Sequence, residues 1–158
     1  MVQSSGNDSD LLNFANEPEV NGKLFEGEEI VFSCHVYKKN RFGMKQKRNF
    51  MLTNCRLLNL EGTKIKRSIE ISKLKGLTKN VKNGNLDEFL VHVKDEYDYE
   101  IISEDRELIL KLIVDAHQEV ARGVALPIFG VNGSLGHYIT SKKDMDAKTI
   151  KGLPPAEY

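Results

Sequence analysis

The chain has 158 residues, of which 40% are hydrophobic and 29% charged. This is enough apolar material for one core and too little for a pair of full-sized domains. No stretch approaches the roughly 20 apolar residues of a membrane-spanning helix, and the start, MVQSSGNDSD, lacks the basic and apolar regions of a secretory signal. We therefore expect a cytoplasmic protein that is neither secreted nor transmembrane.

Basic and acidic residues balance at 23 each, but they are unevenly distributed along the chain. The net charge is −4 over residues 1–22, +9 over residues 23–80, −6 over residues 81–122 and +1 over residues 123–158. A surface field depends on how charges are arranged, so the basic region can attract an acidic partner although the whole chain is neutral. Residues 1–22, rich in Ser, Asn, Asp and Glu, are predicted to be an acidic arm, flexible or held by a partner.

The pattern of short strands begins at Glu29. Ile30, Phe32 and Cys34 alternate with more polar positions, which predicts a half-buried strand ending near Tyr37. Further strands, separated by turn residues, are predicted over residues 49–53, 56–60, 66–71, 74–81, 88–93 and 97–102. The fifth of these seven strands is interrupted at Gly76.

After Ser103 the apolar residues recur at every third or fourth position instead of every second. Ser103 can cap a helix that has acidic residues in its first turn. The apolar stripe of this predicted helix consists of Ile109, Leu112, Ile113, Ala116 and Val120. The helix is expected to end near Arg122 and Gly123. The predicted organisation is therefore an arm over residues 1–22, a domain over residues 23–122 and an extended Gly- and Pro-containing tail over residues 123–158.

Seven strands and one terminal helix resemble the pleckstrin-homology fold, and residues 26–122 carry motifs that resemble the myosin-I tail homology domain. RNFMLTNCRLL, residues 48–58, is similar to that family's R-x-F-x-L-T-D/N-x-x-L-Y. KRSIEISKLKGLT, residues 66–78, resembles K-R-x-I-x-L-x-x-I/V-x-G-L/I/V-S, and EFLVHV, residues 88–93, resembles D-x-F-x-V-H-V. The resemblance implies a mainly β, pleckstrin-homology-like seven-stranded sandwich or barrel capped by an amphipathic C-terminal helix. The chain has no Trp, no motor and no IQ motif, so only the module resembles the family.

The candidate binding site centres on the basic connector KKNRFGMKQKR, residues 38–48, between the first two strands. In phosphoinositide-binding members of the resembled fold, this loop supplies basic side chains, with K/R-x-R just before an aromatic residue. Arg48 stands two residues before Phe50 and matches the Arg of that pattern, whereas Gln46 replaces its first basic residue. The predicted binding residues are Lys38, Lys39, Arg41, Lys45, Lys47, Arg48, Lys66 and Arg67.

These residues suit either an acidic protein surface, such as actin or tubulin, or an anionic lipid. Phe42 and Met44 at the loop tip can enter a bilayer interface while nearby lysines, each worth about 1 kcal/mol, meet anionic headgroups. A merely solvated polar loop is the remaining alternative. Nucleic acid is disfavoured because the interleaved aromatic residues of single-strand binders are missing and the acidic region would repel a wrapped polyanion.

No pattern in the chain indicates catalysis or a metal site. His35, His92, His117 and His137 occur singly, without HExxH, GxSxG or GxxxxGK motifs. Cys34 and Cys55 are isolated from each other and belong to no CxxC motif or Cys/His cluster, which disfavours zinc and a disulfide framework. We expect no enzyme activity, no cofactor and no metal.

The tail contains many apolar residues interrupted by Gly and Pro, which is typical of a segment that lies along a partner in extended form. Its predicted docking residues are Phe129, Leu135, Tyr138, Leu153 and Tyr158. The sequence thus predicts a non-catalytic adaptor of a larger cytoskeletal assembly, including ciliary or microtubule-associated ones. A peripheral membrane module that binds phosphoinositides is the alternative.

Overall fold

The protein is described from a computed structural model that covers residues 8–40, 42–82 and 86–154. The chain divides into two compact units, the first ending at Ser72 and the second beginning at Lys73. The first unit contains the helix α1 (Pro18–Asn21) and the strands β1 (Ile30–Lys39), β2 (Lys45–Thr53), β3 (Arg56–Glu61) and β4 (Lys64–Glu70). The second contains β5 (Leu74–Asn80), β6 (Glu88–Val93), β7 (Tyr99–Ile102), α2 (Arg106–Val120), β8 (Ile128–Val131) and α3 (Lys142–Asp146).

In the first unit the strands form an antiparallel sheet in the order β4-β3-β2-β1. Cys34 of β1 lies opposite Phe50 of β2, and Ser33 lies opposite Met51. Because side chains alternate between the two faces of a strand, Cys34 and Phe50 define one face, which we name the inner face, and Ser33 and Met51 define the outer face. All four residues are buried, so both faces are covered at this level.

The N-terminal arm covers this part of the outer face. A 3-10 turn over Phe14–Asn16 precedes α1. Phe14 and Val20 belong to one apolar core with Met51, Leu58 and Leu60. The expectation of a flexible or partner-held arm is therefore corrected for its described part, because these apolar side chains are buried within their own unit.

Asp10 attaches the arm to β1. One carboxylate oxygen accepts hydrogen bonds from the Phe14 N–H at 3.0 Å and the Ser33 hydroxyl at 2.5 Å, and the other accepts from the Ala15 N–H at 2.8 Å. The Ser33 N–H donates to the Ser9 carbonyl at 3.0 Å. Asp10 is buried, and both of its carboxylate oxygens accept hydrogen bonds. These hydrogen bonds hold the arm against β1.

A buried ion pair fixes the segment that leads from the arm into β1. The Glu28 carboxylate accepts from Arg56 Nε at 2.8 Å, from the Thr53 hydroxyl at 2.6 Å and from the Phe25 N–H at 2.9 Å. Arg56 also stacks over the Phe25 ring at 4.0 Å and donates to the Lys23 carbonyl at 2.9 Å. Burial raises the pKa of Glu28, but the hydrogen bonds from Arg56, Thr53 and Phe25 outweigh it and leave that pKa below its ordinary value.

In the second unit the strand order is β7-β6-β5-β8. Neighbouring strands are antiparallel except that β8 runs parallel to β5. Helix α2 starts against the ends of β5 and β6, because Arg106 Nη1 donates to the carbonyls of Asn80 at 2.8 Å and Glu88 at 3.3 Å. Arg106 is buried, so its charge is balanced by these backbone oxygens and by Glu107 at 2.9 Å.

The seven predicted strands and the terminal helix are all present in the described residues, with shifted ends. The second strand begins at Lys45 instead of Asn49, and the seventh begins at Tyr99 instead of Tyr97. In α2, Ile109 and Ile113 are buried as predicted, whereas Val120 is 39% exposed. The buried side of α2 consists of Arg106, Ile109, Leu110, Ile113 and His117. The polar residues Arg106 and His117 therefore lie on the same side of the helix as the apolar residues.

The tail forms structure of its own, which corrects the expectation of an extended segment along a partner. Residues 128–131 form β8 on the edge of β5, where Gly76 provides the space: a Cβ there would lie 3.0 Å from Phe129 Cε2. Leu135 and Val131 are buried in one core with Leu90, and a 3-10 turn spans Leu135–His137. The edge of β5 supplies the backbone partners that the tail lacks by itself.

Further along, the tail is attached to the turn before β7. The Asp98 N–H donates to the Thr140 carbonyl at 2.7 Å, and the Thr140 N–H donates to the Asp98 carboxylate at 2.9 Å. The same carboxylate lies 3.0 Å from His92 Nδ1. These buried groups satisfy one another, which explains how a segment rich in Gly and Pro is held without a long helix or strand.

We predict that Asp10→Ala lowers the free energy of unfolding by about 2 kcal/mol, because it leaves buried N–H groups without an acceptor. Asp10→Asn, which keeps one acceptor oxygen, should have a smaller effect. Urea denaturation measures both. Asp8→Ala is the control because Asp8 is exposed; a loss of stability as large as that of Asp10→Ala would contradict the anchoring role of Asp10.

Glu28→Gln should destabilise the protein by about 3 kcal/mol at pH 7, since it leaves the Arg56 charge buried without its partner. The native pKa of Glu28 is lowered from 4.5, so its contribution is complete above the unfolded-state pKa and is lost as the pH falls through the native one. The difference between variant and wild type should therefore narrow in acid. Urea titrations at several pH values test this, with exposed Glu29→Gln as the control; a constant difference would refute the linkage.

Candidate anion-binding site

The β1–β2 hairpin carries most of the predicted binding residues. Both strands continue well into the sequence that was expected to be a connector, and Lys39 pairs with Lys45. The loop is therefore confined to residues 40–44. The Asn40 side-chain oxygen accepts from the Phe42 N–H at 2.9 Å and the Met44 N–H at 3.0 Å, and Gly43 takes the positive φ of +80° that the turn needs.

Strand alternation separates the basic residues into two groups. Lys38 and Arg48 belong to the inner face, since Arg48 lies opposite Val36 and Lys38 lies opposite Gln46. Lys39, Lys45 and Lys47 belong to the outer face. The predicted binding residues of the connector are thus divided between two faces. The sequence neighbours Lys47 and Arg48 lie on opposite faces of the hairpin, because consecutive strand residues point in opposite directions.

The inner-face group also includes residues from the later strands. Arg67 lies opposite Asn59, and Asn59 lies opposite Phe50, so both share the inner face with Arg48. Lys66 is the extra residue where the β3–β4 register shifts. The register brings together Lys38, Arg48, Lys66 and Arg67, which we name the inner basic cluster.

The charges of the inner basic cluster act on one another. Burial lowers the pKa of Lys38 below 10.5, and the positive charges of Arg48, Lys66 and Arg67 lower it further, whereas Glu61 opposes them. Glu61 reaches Lys66 at 3.9 Å, with both side chains exposed, so this ion pair is weak. The cluster therefore concentrates positive charge, and the repulsion makes the charged form of Lys38 less favourable.

Arg48 is held in one orientation by neutral groups. Its Nη1 donates to the Lys47 carbonyl at 2.9 Å and its Nη2 donates to the Gln46 side-chain oxygen at 3.2 Å. Its Nε is buried and has no hydrogen-bond partner among the described residues. Gln46, which departs from the basic residue of the family pattern, thus orients the neighbouring guanidinium.

Asn59 is a residue of this site that sequence reasoning missed. Its side chain is buried at 6% exposure, and its Oδ1 has no hydrogen-bond partner among the described residues. Only the β2–β3–β4 register brings Asn59 to Arg48 and Arg67. A polar residue within the apolar run RLLNL was the available signal, because a strand position surrounded by leucines is expected to be apolar.

The tip of the hairpin is apolar and exposed. Phe42 is 75% exposed and Met44 is 65% exposed, beside the lysines that begin and end the two strands. This agrees with their predicted place at the loop tip. Arg41, which was also predicted to bind, lies outside the described residues.

The predicted docking residues of the tail have different environments. Leu135 is buried in a core of its own unit, and Tyr138 packs beside that core. Phe129 is partly buried next to Gly76, whereas Leu153 is 39% exposed and Tyr158 lies outside the described residues. Leu135 is therefore corrected as a docking residue because its own chain already buries it; docking by the exposed part of the tail stays a prediction.

Other polar groups in the described residues have structural partners. His92 Nε2 lies 2.6 Å from the Thr78 hydroxyl and its Nδ1 lies 3.0 Å from Asp98, but all three residues are buried. Buried groups of this kind have no access to a substrate. In the described part of the chain no group of three His, Cys, Asp or Glu is arranged to hold a metal ion, and no helix there is long and apolar enough to cross a bilayer.

Comparison with solved structures identifies the fold. The hSac2 domain of the human phosphoinositide phosphatase Sac2 is similar at a TM-score of 0.55 and 11% identity, over 82% of this chain and 93% of that one. The pleckstrin-homology domain of human oxysterol binding protein-related protein 11 is similar at a TM-score of 0.50 and 15% identity, over 66% of this chain and 90% of that one. The predicted pleckstrin-homology-like fold is confirmed, with β8 added.

Comparison with protein families identifies the family. No curated protein matches the chain. A family model described as unconventional myosin tail, actin- and lipid-binding, matches residues 3–151. This description agrees with the predicted protein and anionic-lipid partners and is that of a binding module. The match spans the arm, the strands, the helix and most of the tail, and the chain belongs to the unconventional myosin tail family.

Proposed function

We propose that the chain is a peripheral membrane module that binds phosphoinositide headgroups through the inner basic cluster. The observation that carries this proposal is the gathering of Lys38, Arg48, Lys66 and Arg67, in which the last three positive charges lower the pKa of Lys38. A multiply charged phosphate group would replace this repulsion by attraction. Arginine suits such a ligand because its planar fork donates two parallel hydrogen bonds.

The orientation of Arg48 supports the same proposal. Gln46 and the Lys47 carbonyl each accept a hydrogen bond from one end of the guanidinium, which fixes its orientation. A side chain ordered before binding loses less conformational entropy when the ligand arrives. Asn59 lies on the same face, but its side chain is buried, so contact with a headgroup falls to the basic residues.

The exposed tip supplies a second contribution to membrane binding. Phe42 and Met44 project beyond the paired strands, and burying one such side chain in an apolar environment contributes roughly 1.5–3 kcal/mol. Each lysine near an anionic surface adds about 1 kcal/mol. Because Asn40 holds the backbone of the tip, insertion would require little reordering of the loop.

A second function is favoured by the separate basic group on the outer face and by the family description, which includes actin. In this proposal the module is a non-catalytic adaptor between a membrane and the cytoskeleton, located on the cytoplasmic side. Binding, rather than catalysis, accounts for the polar groups of the hairpin. Association with cilia or microtubules stays a prediction.

If the inner basic cluster is built for an anion, removing one of its charges should stabilise the free protein. We expect Lys38→Gln to raise the melting temperature, because the lowered native pKa of Lys38 means that its charge is less favourable in the folded than in the unfolded state. The difference should shrink as the pH rises above the native pKa and vanish above the unfolded-state pKa of about 10.5. The same variant should bind a soluble inositol phosphate about fivefold more weakly.

Differential scanning fluorimetry and calorimetric titration measure these two effects. Lys75→Gln is the control, since Lys75 is an exposed strand residue elsewhere in the chain, and it should change neither. A destabilised Lys38→Gln that binds normally would contradict the proposed site.

Vesicle co-sedimentation tests membrane binding directly. Vesicles of phosphatidylcholine with phosphatidylinositol bisphosphate are compared with phosphatidylserine vesicles of equal surface charge. We expect preference for the former, and about a tenfold loss of affinity in Lys38→Gln with Arg48→Gln. Phe42→Ser with Met44→Ser should weaken binding to both vesicles but leave the affinity for soluble inositol phosphate intact.

The charge-matched control is Lys75→Gln with Lys82→Gln, which removes two exposed lysines of the second unit. Equal losses in the control and in the inner-face variant would indicate bulk attraction only. Absence of binding by the wild type to either vesicle would refute the proposed function.

A further inference from the structure

Ser68 combines an exposed hydroxyl with an extended backbone. It lies in β4, which forms the end of its sheet and pairs with β3 alone among the described strands. Ser68 lies opposite Leu58, which lies opposite Met51, so its side chain belongs to the outer face. An edge strand presents an extended segment whose outward backbone groups are not paired within the sheet. The segment around Ser68 therefore already has the form in which many domains bind peptides.

Positive charge precedes the Ser68 hydroxyl along the strand. Lys64, Lys66 and Arg67 stand four, two and one residues before it, and the side chains of both lysines are exposed. Protein kinases select their substrates in part by the pattern of charges around the hydroxyl, and this pattern fits a kinase whose substrate groove is acidic. Ser72 is also exposed, but the four residues before it include no basic one.

A buried arginine already contacts the Ser68 hydroxyl. Arg56 Nη1 donates to Ser68 Oγ at 3.2 Å, whereas Nε and Nη2 of the same guanidinium donate to the Glu28 carboxylate at 2.8 and 3.0 Å. The Phe25 ring lies 4.0 Å from the guanidinium carbon. The orientation of Arg56 is thus fixed by other groups. Ser68 is the acceptor in its hydrogen bond with Arg56, so this bond does not use the proton of the hydroxyl.

We propose that Ser68 is a phosphorylation site for a protein kinase that recognises basic residues before its target, and that the phosphate weakens anion binding by the inner basic cluster. In the transfer, Ser68 Oγ attacks the γ-phosphorus of ATP. A bond forms between Oγ and this phosphorus, the bond from the phosphorus to the β–γ bridging oxygen breaks, and ADP leaves with that electron pair. The hydroxyl proton passes to the base of the kinase.

Arg56 is placed to bind the phosphate. A phosphoserine carries a charge of about −1.5 to −2 at pH 7 and three acceptor oxygens. Because Arg56 Nη1 is within hydrogen-bond distance of Oγ itself, it can donate to the added oxygens, and a charged acceptor strengthens such a bond. Glu28 keeps its contacts, since they involve other nitrogens of the guanidinium. Glu70, exposed on the same face, repels the phosphate, but water and salt screen this pair.

The same phosphate lies beside two members of the inner basic cluster. Lys66 and Arg67 are within two residues of Ser68 along β4, a backbone distance of about 7 Å or less. This distance is shorter than the screening length of about 8 Å at physiological salt. The phosphate offsets about half of the four positive charges of the cluster, so a phosphoinositide headgroup is bound more weakly. This effect rests on the function proposed above for the cluster.

The first experiment tests the modification on the folded full chain. The protein is incubated with ATP and either protein kinase C or cyclic-AMP-dependent protein kinase, and mass spectrometry locates the phosphate. We expect phosphate at residue 68 in the wild type and in Ser72→Ala, and its loss in Ser68→Ala. Lys64→Gln with Lys66→Gln, which removes two exposed charges, should lower kcat/KM about tenfold. The site is overturned if neither kinase modifies Ser68, or if the double variant is modified as fast as the wild type.

The second experiment tests the consequence, using a chain with phosphoserine incorporated at position 68 during translation. Its affinity for a soluble inositol phosphate, measured by calorimetry, should be about fivefold lower than that of the unmodified chain. Its melting temperature at low salt should be equal or higher, because Arg56 gains a charged acceptor. Ser68→Glu should show a smaller loss of affinity, whereas Ser68→Ala and the charge-matched control Ser72→Glu should bind within about twofold of the wild type.

Equal inositol phosphate affinity with and without the phosphate would overturn the regulation, and so would equal losses in Ser68→Glu and Ser72→Glu. A phosphorylated chain that melts several degrees lower would overturn the role of Arg56. A wild type that is phosphorylated at Ser68 but binds no inositol phosphate would refute the proposed function and support the phosphorylation site.

Discussion

The two-residue period of the β1–β2 ribbon is the constraint on which the rest of the first unit depends. Once Cys34 faces Phe50 and Ser33 faces Met51, every following residue has its face assigned up to Lys39 and Lys45. A slip of one residue would exchange the two faces. A slip of β2 would turn Phe50 to the outer face and Arg48 away from Arg67, and a slip of β1 would remove the Ser33 hydroxyl from Asp10, so the core, the arm attachment and the candidate site share one register.

Two arginines of the first unit, the buried Arg56 and the partly buried Arg48, have different partners for their positive charge. Arg56 is satisfied by Glu28, by the Lys23 carbonyl and by the ring of Phe25, and it stabilises the entry into β1. Arg48 is held by a carbonyl and an amide, with no carboxylate among the described residues. The charge of Arg56 is therefore neutralised within the protein, whereas the charge of Arg48 is not. An anion-binding site requires such an unneutralised charge, although it does not increase the stability of the free protein.

Much of the fold was predictable because hydrophobic periodicity is strong in its central elements. The strand over Glu88–Val93 has the bounds that its apolar run predicts, and α2 contains Ile109 and Ile113 on its buried side. The sequence also identifies the basic residues of the candidate site by type, and their role in binding stays a proposal. Asn59 was not predictable, since its role depends on the strands on either side of it and on no motif.

The arm and tail were predicted least well, because short segments with few apolar residues have no periodicity that indicates where they pack. Phe14 and Val20 are buried only because the outer face presents Met51. Residues 128–131 become a strand only because the edge of β5 is open and Gly76 admits Phe129. In both cases the stabilising surface comes from residues distant in the chain.

The sequence by itself therefore determined which residues form strands and the helix, and which region is basic, since both follow from local pattern and composition. Only the tertiary structure decided that Lys47 and Arg48 lie on opposite faces, that Lys38 repels Arg48, Lys66 and Arg67, and that the described part of the arm packs against Met51 on the outer face. The physical reason is that a site is defined by cross-strand neighbours. Strand register and chain reversal determine which residues become cross-strand neighbours, and the order of residues along the chain does not specify them.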